Sequence, residues 1–241
     1  MEVVSVADAS TTSQDRVPSS RHLPDEVMLD VLGYALTLPN GIQGDRWESI
    51  QKSRMNKFSL LSKSIGKLVP EAIYKANKVV VKAIRPTTQS ELRTGVLISY
   101  PTIEQSHWVR ELEFEPWIFG ISWDTTQRDS DTKKRETTVQ VEWLQKLASG
   151  AIGFERLETL RIKFVPNRLH RADPLHNHPE YIEHFIEELE KVGPLAFKTN
   201  VLKIYLDGYR DTGEGANCPN EWIRNSLEKL AALLVIAKPQ D

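Results

Sequence analysis

The chain has 241 residues but a single cysteine, Cys218. One cysteine cannot form an intrachain disulfide, and a metal site built from several thiolates is excluded. Chains without disulfides are typical of reducing compartments. We therefore expect an intracellular protein, in the cytoplasm, the nucleus or both.

The sequence also lacks long apolar runs and a strong net charge. No stretch approaches the ~20 apolar residues that a membrane-spanning helix needs. The formal net charge is −2 and the isoelectric point is about 6.3, whereas a sequence-independent electrostatic grip on nucleic acid or anionic lipid requires a basic excess. We expect neither nucleic acid nor a membrane as a partner. The segment from Met1 to Ser20 has neither the basic nor the apolar part of a signal peptide, and it is predicted to be a disordered tail.

Motifs that carry catalysis are missing as well. There is no G-x-S-x-G nucleophile motif, and Gly66-Lys67 lacks the preceding glycine of a phosphate-binding loop. We therefore predict a protein that is not an enzyme and that has no cofactor and no metal.

One alternative to that prediction is a metal-dependent hydrolase. Histidines cluster in one segment, and a carboxylate such as Asp173 or Glu180 could complete a metal site with them. Against this stand the absence of an H-E-x-x-H helix and the prolines Pro174 and Pro179, which indicate an exposed loop. The histidines are His170, His176, His178 and His184.

The pattern near the start of the chain predicts helices. Order should begin at Leu23, and a first helix should follow with Pro24 at its first position and an apolar stripe at Val27, Val31, Leu32 and Ala35. The segment from Leu38 to Asp45 contains proline and glycine and is predicted to be a loop. A second helix is predicted across Phe58 to Leu68, because apolar residues recur there at steps of three and four. Pro70 is expected to end it and to open a short third helix.

From Lys78 onward, strand and helix patterns alternate. Strands are predicted at 79–84, 109–115, 158–164 and 201–206, and helices at 180–192 and 220–236, with a further helical period through Val139 to Leu147. Such alternation predicts an α/β fold in which parallel strands lie side by side with helices packed against them. The strand motif L-x-x-L-x-L resembles a leucine-rich repeat, but its aligned positions Leu112, Leu160 and Leu202 are too widely and unevenly spaced for a regular array. We therefore predict an irregular layer of strands with packed helices. It would be similar to a leucine-rich-repeat solenoid in its strand motif but not in its spacing.

The segment from Leu23 to Tyr74 resembles an F-box, and the chain as a whole resembles the F-box-like proteins of filamentous fungi. The family pattern is a Leu-Pro helix start, an apolar helix, and then a leucine-rich helix containing a small residue and lysine. This likeness divides the chain into a tail (1–20), an F-box-like helical module (21–76) and an α/β region that binds a substrate or partner (77–241). The residues that carry the likeness are Leu23-Pro24-Asp25-Glu26-Val27, Val31-Leu32, Leu60-Leu61-Ser62-Lys63-Ser64-Ile65 and Leu68.

The resemblance implies a non-catalytic adaptor of a Skp–cullin–F-box type ubiquitin ligase. In that reading the module docks on a Skp-type adaptor, which bridges to a cullin scaffold, and the rest of the chain recognises an unknown protein substrate. A protein-interaction module unrelated to ubiquitination, in which the helices merely cap the α/β layer, is the alternative. The residues that the resemblance assigns to adaptor docking are Leu23, Pro24, Val27, Val31, Leu32, Leu61, Ile65 and Leu68.

Overall fold

The computed structural model describes residues 23–84, 97–118, 130–166, 180–206 and 219–238. Within these ranges the chain is a mixed α/β fold built on parallel strands, as predicted. The helices are α1 (Asp25–Leu36), α2 (Trp47–Ile50), α3 (Asn56–Ser59), α4 (Lys63–Ala76), α5 (Ile103–Ser106), α6 (Ser130–Ser149), α7 (Glu180–Val192) and α8 (Pro219–Leu233). The strands are β1 (Ile42–Gln43), β2 (Val79–Ile84), β3 (Leu97–Ile98), β4 (Glu111–Glu115), β5 (Trp117–Ile118), β6 (Thr159–Pro166), β7 (Leu195–Phe197), β8 (Val201–Leu206) and β9 (Leu234–Ile236).

Four long strands form the centre of the sheet in the order β2-β4-β6-β8, and each neighbouring pair is parallel. The three leucines aligned by the sequence motif, Leu112, Leu160 and Leu202, lie beside one another in the register. The prediction of adjacent strands is therefore confirmed, with ends that shift by no more than two residues. Short strands complete the sheet: β1 pairs in parallel with β2, β5 in parallel with β6, and β3 antiparallel with β2.

Alternation along the long strands divides the sheet into two faces. The apolar face includes fully buried Leu112, Phe114, Leu160 and Ile162. Helices cover this face: Phe114 stacks on Trp143 of α6 with ring centroids 4.5 Å apart, and Phe164 meets Phe185 of α7 edge-on at 5.2 Å. The opposite face bears the charged residues of the same strands.

The helical part departs from the predicted boundaries. Instead of a helix across 58–68, a continuous helical stretch runs from α2 through a π-helical turn (Gln51–Met55) into α3. After a break at Leu60 and Leu61, α4 begins where the Ser62 hydroxyl accepts a hydrogen bond from the Ile65 N–H at 3.1 Å. The helix that was expected to end at Pro70 instead contains it.

Two further predictions were wrong in detail. The loop predicted from Leu38 to Asp45 contains β1, which enters the sheet because Gly41 adopts a positive φ of 68° and passes against the Lys78 carbonyl, where a Cβ would lie 2.3 Å from the oxygen. The helix predicted at 220–236 ends at Leu233, and its last three residues form β9, which pairs in parallel with β7.

The predicted division between residues 76 and 77 falls between α4 and β2, but the hydrophobic core crosses it. Leu32, Leu36 and Ile73 of the helices belong to the same buried cluster as Val79 and Leu112 of the sheet. The side chain of Asn77 fastens the junction: its amide nitrogen donates to the carbonyls of Leu36 (3.0 Å) and Ile73 (2.8 Å), and its oxygen accepts from the Leu38 N–H at 2.6 Å. Among the described helices, none is both long and apolar enough to span a bilayer.

Candidate functional site

Helix α1 has one buried face and one exposed apolar face. Leu32 and Leu36 point into the core, and Met28 and Leu29 pack against it. The exposed face carries apolar residues spaced by four, four and three positions, which places them on one stripe of a helix. We call this set the α1 stripe; its members are Leu23, Val27, Val31 and Tyr34, the last of which is 88% exposed.

A second exposed apolar patch precedes α4. Leu60 is 85% exposed and Leu61 is 66% exposed, although leucine is among the residues most often found in cores. Both lie in the break between α3 and α4, where the Leu60 and Leu61 N–H groups close the preceding turn on Asn56 and Phe58. Ile65 and Leu68, one and two turns further along α4, are partly buried and pack against the core.

Helix α1, which carries the first patch, packs against α4, which follows the second. The C-terminal ends of the two helices lie together, because a Cβ on Gly33 would be 3.5 Å from the Cβ of Ala76 and Asn77 binds the Leu36 carbonyl. Leu23 precedes α1 and Leu61 precedes α4, so each lies at the N-terminal end of its helix.

Charges of opposite sign flank the two patches. Asp25, Glu26 and Asp30 are exposed on α1 beside its stripe. The exposed lysines Lys57 and Lys63 lie on either side of Leu60 and Leu61. A partner that covers both patches would meet negative charge at one and positive charge at the other, which fixes the orientation of docking more than its strength.

The eight residues assigned to docking fall into three environments. Leu23, Pro24, Val27, Val31 and Leu61 are exposed, whereas Ile65 and Leu68 are half-buried. Leu32 is buried among core residues, so the expectation that it contacts a partner is corrected: it supports α1 from beneath. Pro24 is the residue before the first turn, not its first member, and its carbonyl accepts from the Met28 N–H at 3.0 Å.

Two exposed apolar residues are not among those predicted from the sequence to bind the adaptor: Tyr34 and Leu60. Tyr34 continues the spacing of the stripe three positions after Val31, and that periodicity was the signal that could have found it. Leu60 had no such signal, because it was predicted to lie inside a helix. Leu60 is exposed because the helix is interrupted between α3 and α4, before Ser62.

The histidine segment is represented by His184 alone. Its Nδ1 lies 3.4 Å from Glu187 Oε2, and its Nε2 is buried without a hydrogen-bond partner. His170, His176 and His178 lie outside the described residues. Among the residues that are described, no three His, Cys, Asp or Glu side chains are grouped to hold a metal ion.

Comparisons with protein-family models, with curated proteins and with solved structures found no match to this chain.

Proposed function

We propose that the chain is a non-catalytic adaptor, the substrate-recognition subunit of a Skp–cullin–F-box type ubiquitin ligase. The observation that carries the proposal is the exposed apolar surface formed by the α1 stripe with Leu60 and Leu61. Its residues lie on α1 and in the break between α3 and α4, within the segment whose sequence resembles an F-box. In this proposal the protein works in a reducing compartment, the cytoplasm or the nucleus.

The number of exposed valine and leucine side chains supports a partner that binds tightly. Fully burying a valine or leucine side chain is worth roughly 1.5–3 kcal/mol, and a few such anchors supply most of the free energy of a typical interface. Leu23, Val27, Val31 and Leu61 are exposed in the helical part. A Skp-type adaptor, connected to a cullin scaffold, is the proposed occupant.

The parallel sheet is the proposed substrate-recognition region, with a fold similar to an irregular leucine-rich-repeat solenoid. Val79, Leu112, Leu160 and Leu202 lie in register on successive strands, so the chain returns to the sheet after 33, 48 and 42 residues. These steps are longer than the ~20–29 residues of regular leucine-rich repeats. One helix-covered face and one open face nevertheless suit the architecture of a solenoid.

A second candidate function is a protein-interaction module in which the helices only cap the sheet. The pairing of β1 with β2 favours it, because this pairing and fully buried Ile42 cover the edge of β2. The continuous core and the hydrogen bonds of Asn77 are also what a cap requires. A cap, however, does not need Val31 or Leu61 to face outward.

Titration of the full-length chain with a purified Skp-type adaptor distinguishes the two. We expect binding at micromolar or lower Kd, measured by calorimetry. Val31→Lys combined with Leu61→Lys should weaken it by at least about 30-fold, because two anchors are replaced by charges that resist burial. Val192→Lys is the matched control, since Val192 is also an exposed valine on a helix and should leave binding unchanged.

The capping function would be supported by a different result. If the folded, monodisperse wild-type chain fails to bind the adaptor at tens of micromolar, the ligase proposal is wrong. Equal losses in the double variant and in the Val192→Lys control would also contradict it, because the effect would then not be specific to the docking surface.

A further inference from the structure

The open face of the sheet carries charges that alternate in sign from strand to strand. Strand β4 contributes three glutamates, and its neighbours β2 and β6 contribute lysine and arginine. Three ion pairs connect β4 to its neighbours: the Nζ of Lys78, the residue before β2, lies 2.7 Å from Glu113, Lys82 Nζ lies 2.9 Å from Glu115, and Arg161 lies 3.0 Å from Glu111. The acidic strand is therefore matched by a basic strand on each side.

Strand β8 breaks this alternation. It lies on the other side of basic β6, yet its central charged residue is Lys203, which pairs in register with Arg161. Lys203 is exposed, and no described acidic side chain forms an ion pair with it. Val201 and Tyr205 flank Lys203 on the same face and are also exposed. The β8 side of the face thus has a positive charge where the pattern of the other strands would place a negative neighbour.

The apolar face is also incomplete at β8. Leu112 and Leu160 are fully buried, but Leu202, next to them in the register, is half-buried. The same holds for Ile204 beside fully buried Ile162. Within the described ranges, β8 pairs with β6 alone. The far edge of β8, which is the edge that faces away from β6, pairs with no described strand. Backbone N–H and C=O groups on such an edge are able to pair with an added chain.

We propose that the far edge of β8 binds an extended acidic peptide as an additional strand. Side chains alternate along a strand, so apolar residues of the peptide would cover Leu202 and Ile204 while its carboxylates lie beside Lys203. Strand addition derives affinity from main-chain hydrogen bonds and specificity from alternate side chains. The peptide would supply an acidic strand on the outer side of β8.

A second copy of this chain is a poorer occupant. Two β8 edges related by a two-fold axis in the sheet would pair antiparallel, with Lys203 close to the Lys203 of the other copy. Like charges opposite one another across strands are destabilising. An acidic peptide avoids this repulsion and gains the opposite interaction.

This proposal does not depend on adaptor docking, because β8 lies in the sheet and α1 in the helical part. The probe is a fluorescein-labelled peptide of alternating valine and glutamate, nine residues long, added to the full-length chain and followed by fluorescence anisotropy. Two comparison peptides are needed: one has lysine in place of glutamate, and one has three of its valines replaced by proline, which removes backbone donors. We expect saturable binding of the acidic peptide and binding at least about tenfold weaker for both comparison peptides.

Variants of the protein locate the site. Lys203→Glu should weaken binding of the acidic peptide about tenfold, and Lys203→Met, which keeps the aliphatic stem, should weaken it about threefold. Lys146→Glu is the matched control, since Lys146 is an exposed lysine on α6 and should change binding less than twofold. Circular dichroism checks that each variant is folded.

Several outcomes would overturn the proposal. Absence of saturable binding up to millimolar peptide, or equal binding of the acidic and basic peptides, would show that the edge does not select carboxylates. Undiminished binding of the proline peptide would show that no strand is added. A wild-type dimer in sedimentation that dissociates in Lys203→Glu would show that a second copy occupies the edge.

Discussion

The helical part and the sheet expose opposite kinds of surface. Around α1 the exposed residues include large apolar side chains, among them Leu23, Val31 and Leu61. On the open face of the sheet the half-exposed residues are charged and joined across strands, as in the pair of Lys82 and Glu115 at 2.9 Å. Covering exposed apolar residues with a partner lowers the free energy, whereas covering paired charges removes their hydration and raises it.

This difference implies different modes of association for the two surfaces. The apolar surface suits a partner that remains bound, because burying it lowers the free energy without any need for exact charge matching. The charged face suits selective and salt-sensitive contacts, because its ion pairs stay partly in water. In the function that we propose, the first surface would hold a constant partner and the second a selected one.

The largest expected effect contrasts a core leucine with an exposed one. Leu160 is fully buried in the middle of β6, so Leu160→Asp places an unpaired carboxylate in the core. That costs several kcal/mol, comparable with a total stability of ~5–15 kcal/mol. We expect the variant to unfold or aggregate, whereas Leu61→Asp should shift the Tm of the full-length chain by less than about 3 °C. A large loss of stability in Leu61→Asp would show that this residue belongs to the core and not to a docking surface.

A smaller effect tests whether the two regions are one folding unit. Asn77→Ala removes three hydrogen bonds that join α1, α4 and the segment after α1, and it leaves their backbone groups unsatisfied. We expect a loss of about 2–4 kcal/mol in urea unfolding with a single transition for both regions. Asn225→Ala on the exposed side of α8 is the control and should change stability by less than about 0.5 kcal/mol. Two separate transitions in wild-type protein would contradict a continuous core.

Much of the sheet could be predicted from the sequence because its strands have strong local signals. Alternating apolar and charged residues located β4 and β6, and helical periods between the strands indicated parallel connections. The register of Leu112, Leu160 and Leu202 followed from aligning one short motif. Strand β9 could not be recognised, because Leu234–Ile236 continues the helical spacing of α8 and becomes a strand by pairing with β7, 39 residues earlier.

The helical part was harder to predict for two physical reasons. The stretch from Trp47 to Ser59 includes a π-helical turn and a run of polar residues from Gln51 to Arg54, so it lacks a regular apolar period. Pro70 was expected to end a helix, but α4 continues through it. In a regular helix the N–H of residue 70 would donate to the Gly66 carbonyl, and proline lacks this N–H. Gly66 has no side chain, so α4 can approach the Ser59 carbonyl; a Cβ on Gly66 would lie 3.2 Å from that oxygen. The exposed apolar stripe was recognisable as apolar, but the direction in which it points depends on the packing of α1 on α4.

The smallest expected effect concerns the ion pairs that distinguish the sheet from the helical part. Lys78 and Glu113 lie 2.7 Å apart, with Glu113 largely buried, whereas Lys52 and Glu48 in the helical part lie 4.0 Å apart and are both strongly exposed. A double-mutant cycle with Lys78→Met and Glu113→Gln should give a coupling of about 1 kcal/mol, because partial burial weakens solvent screening. The matched cycle with Lys52→Met and Glu48→Gln should give a coupling near zero.

The dependence of the coupling energy on salt also distinguishes the two ion pairs. The Debye length falls from about 10 Å at 0.1 M salt to about 3 Å at 1 M, and screening acts most strongly on exposed charges. Measured by urea unfolding at both salt concentrations, the coupling of Lys78 with Glu113 should keep more than half of its value at 1 M. If both pairs gave the same small coupling, the charges on the sheet face would contribute no more to stability than ordinary surface charges. The face would then differ from the apolar surface in composition but not in how firmly its side chains are held.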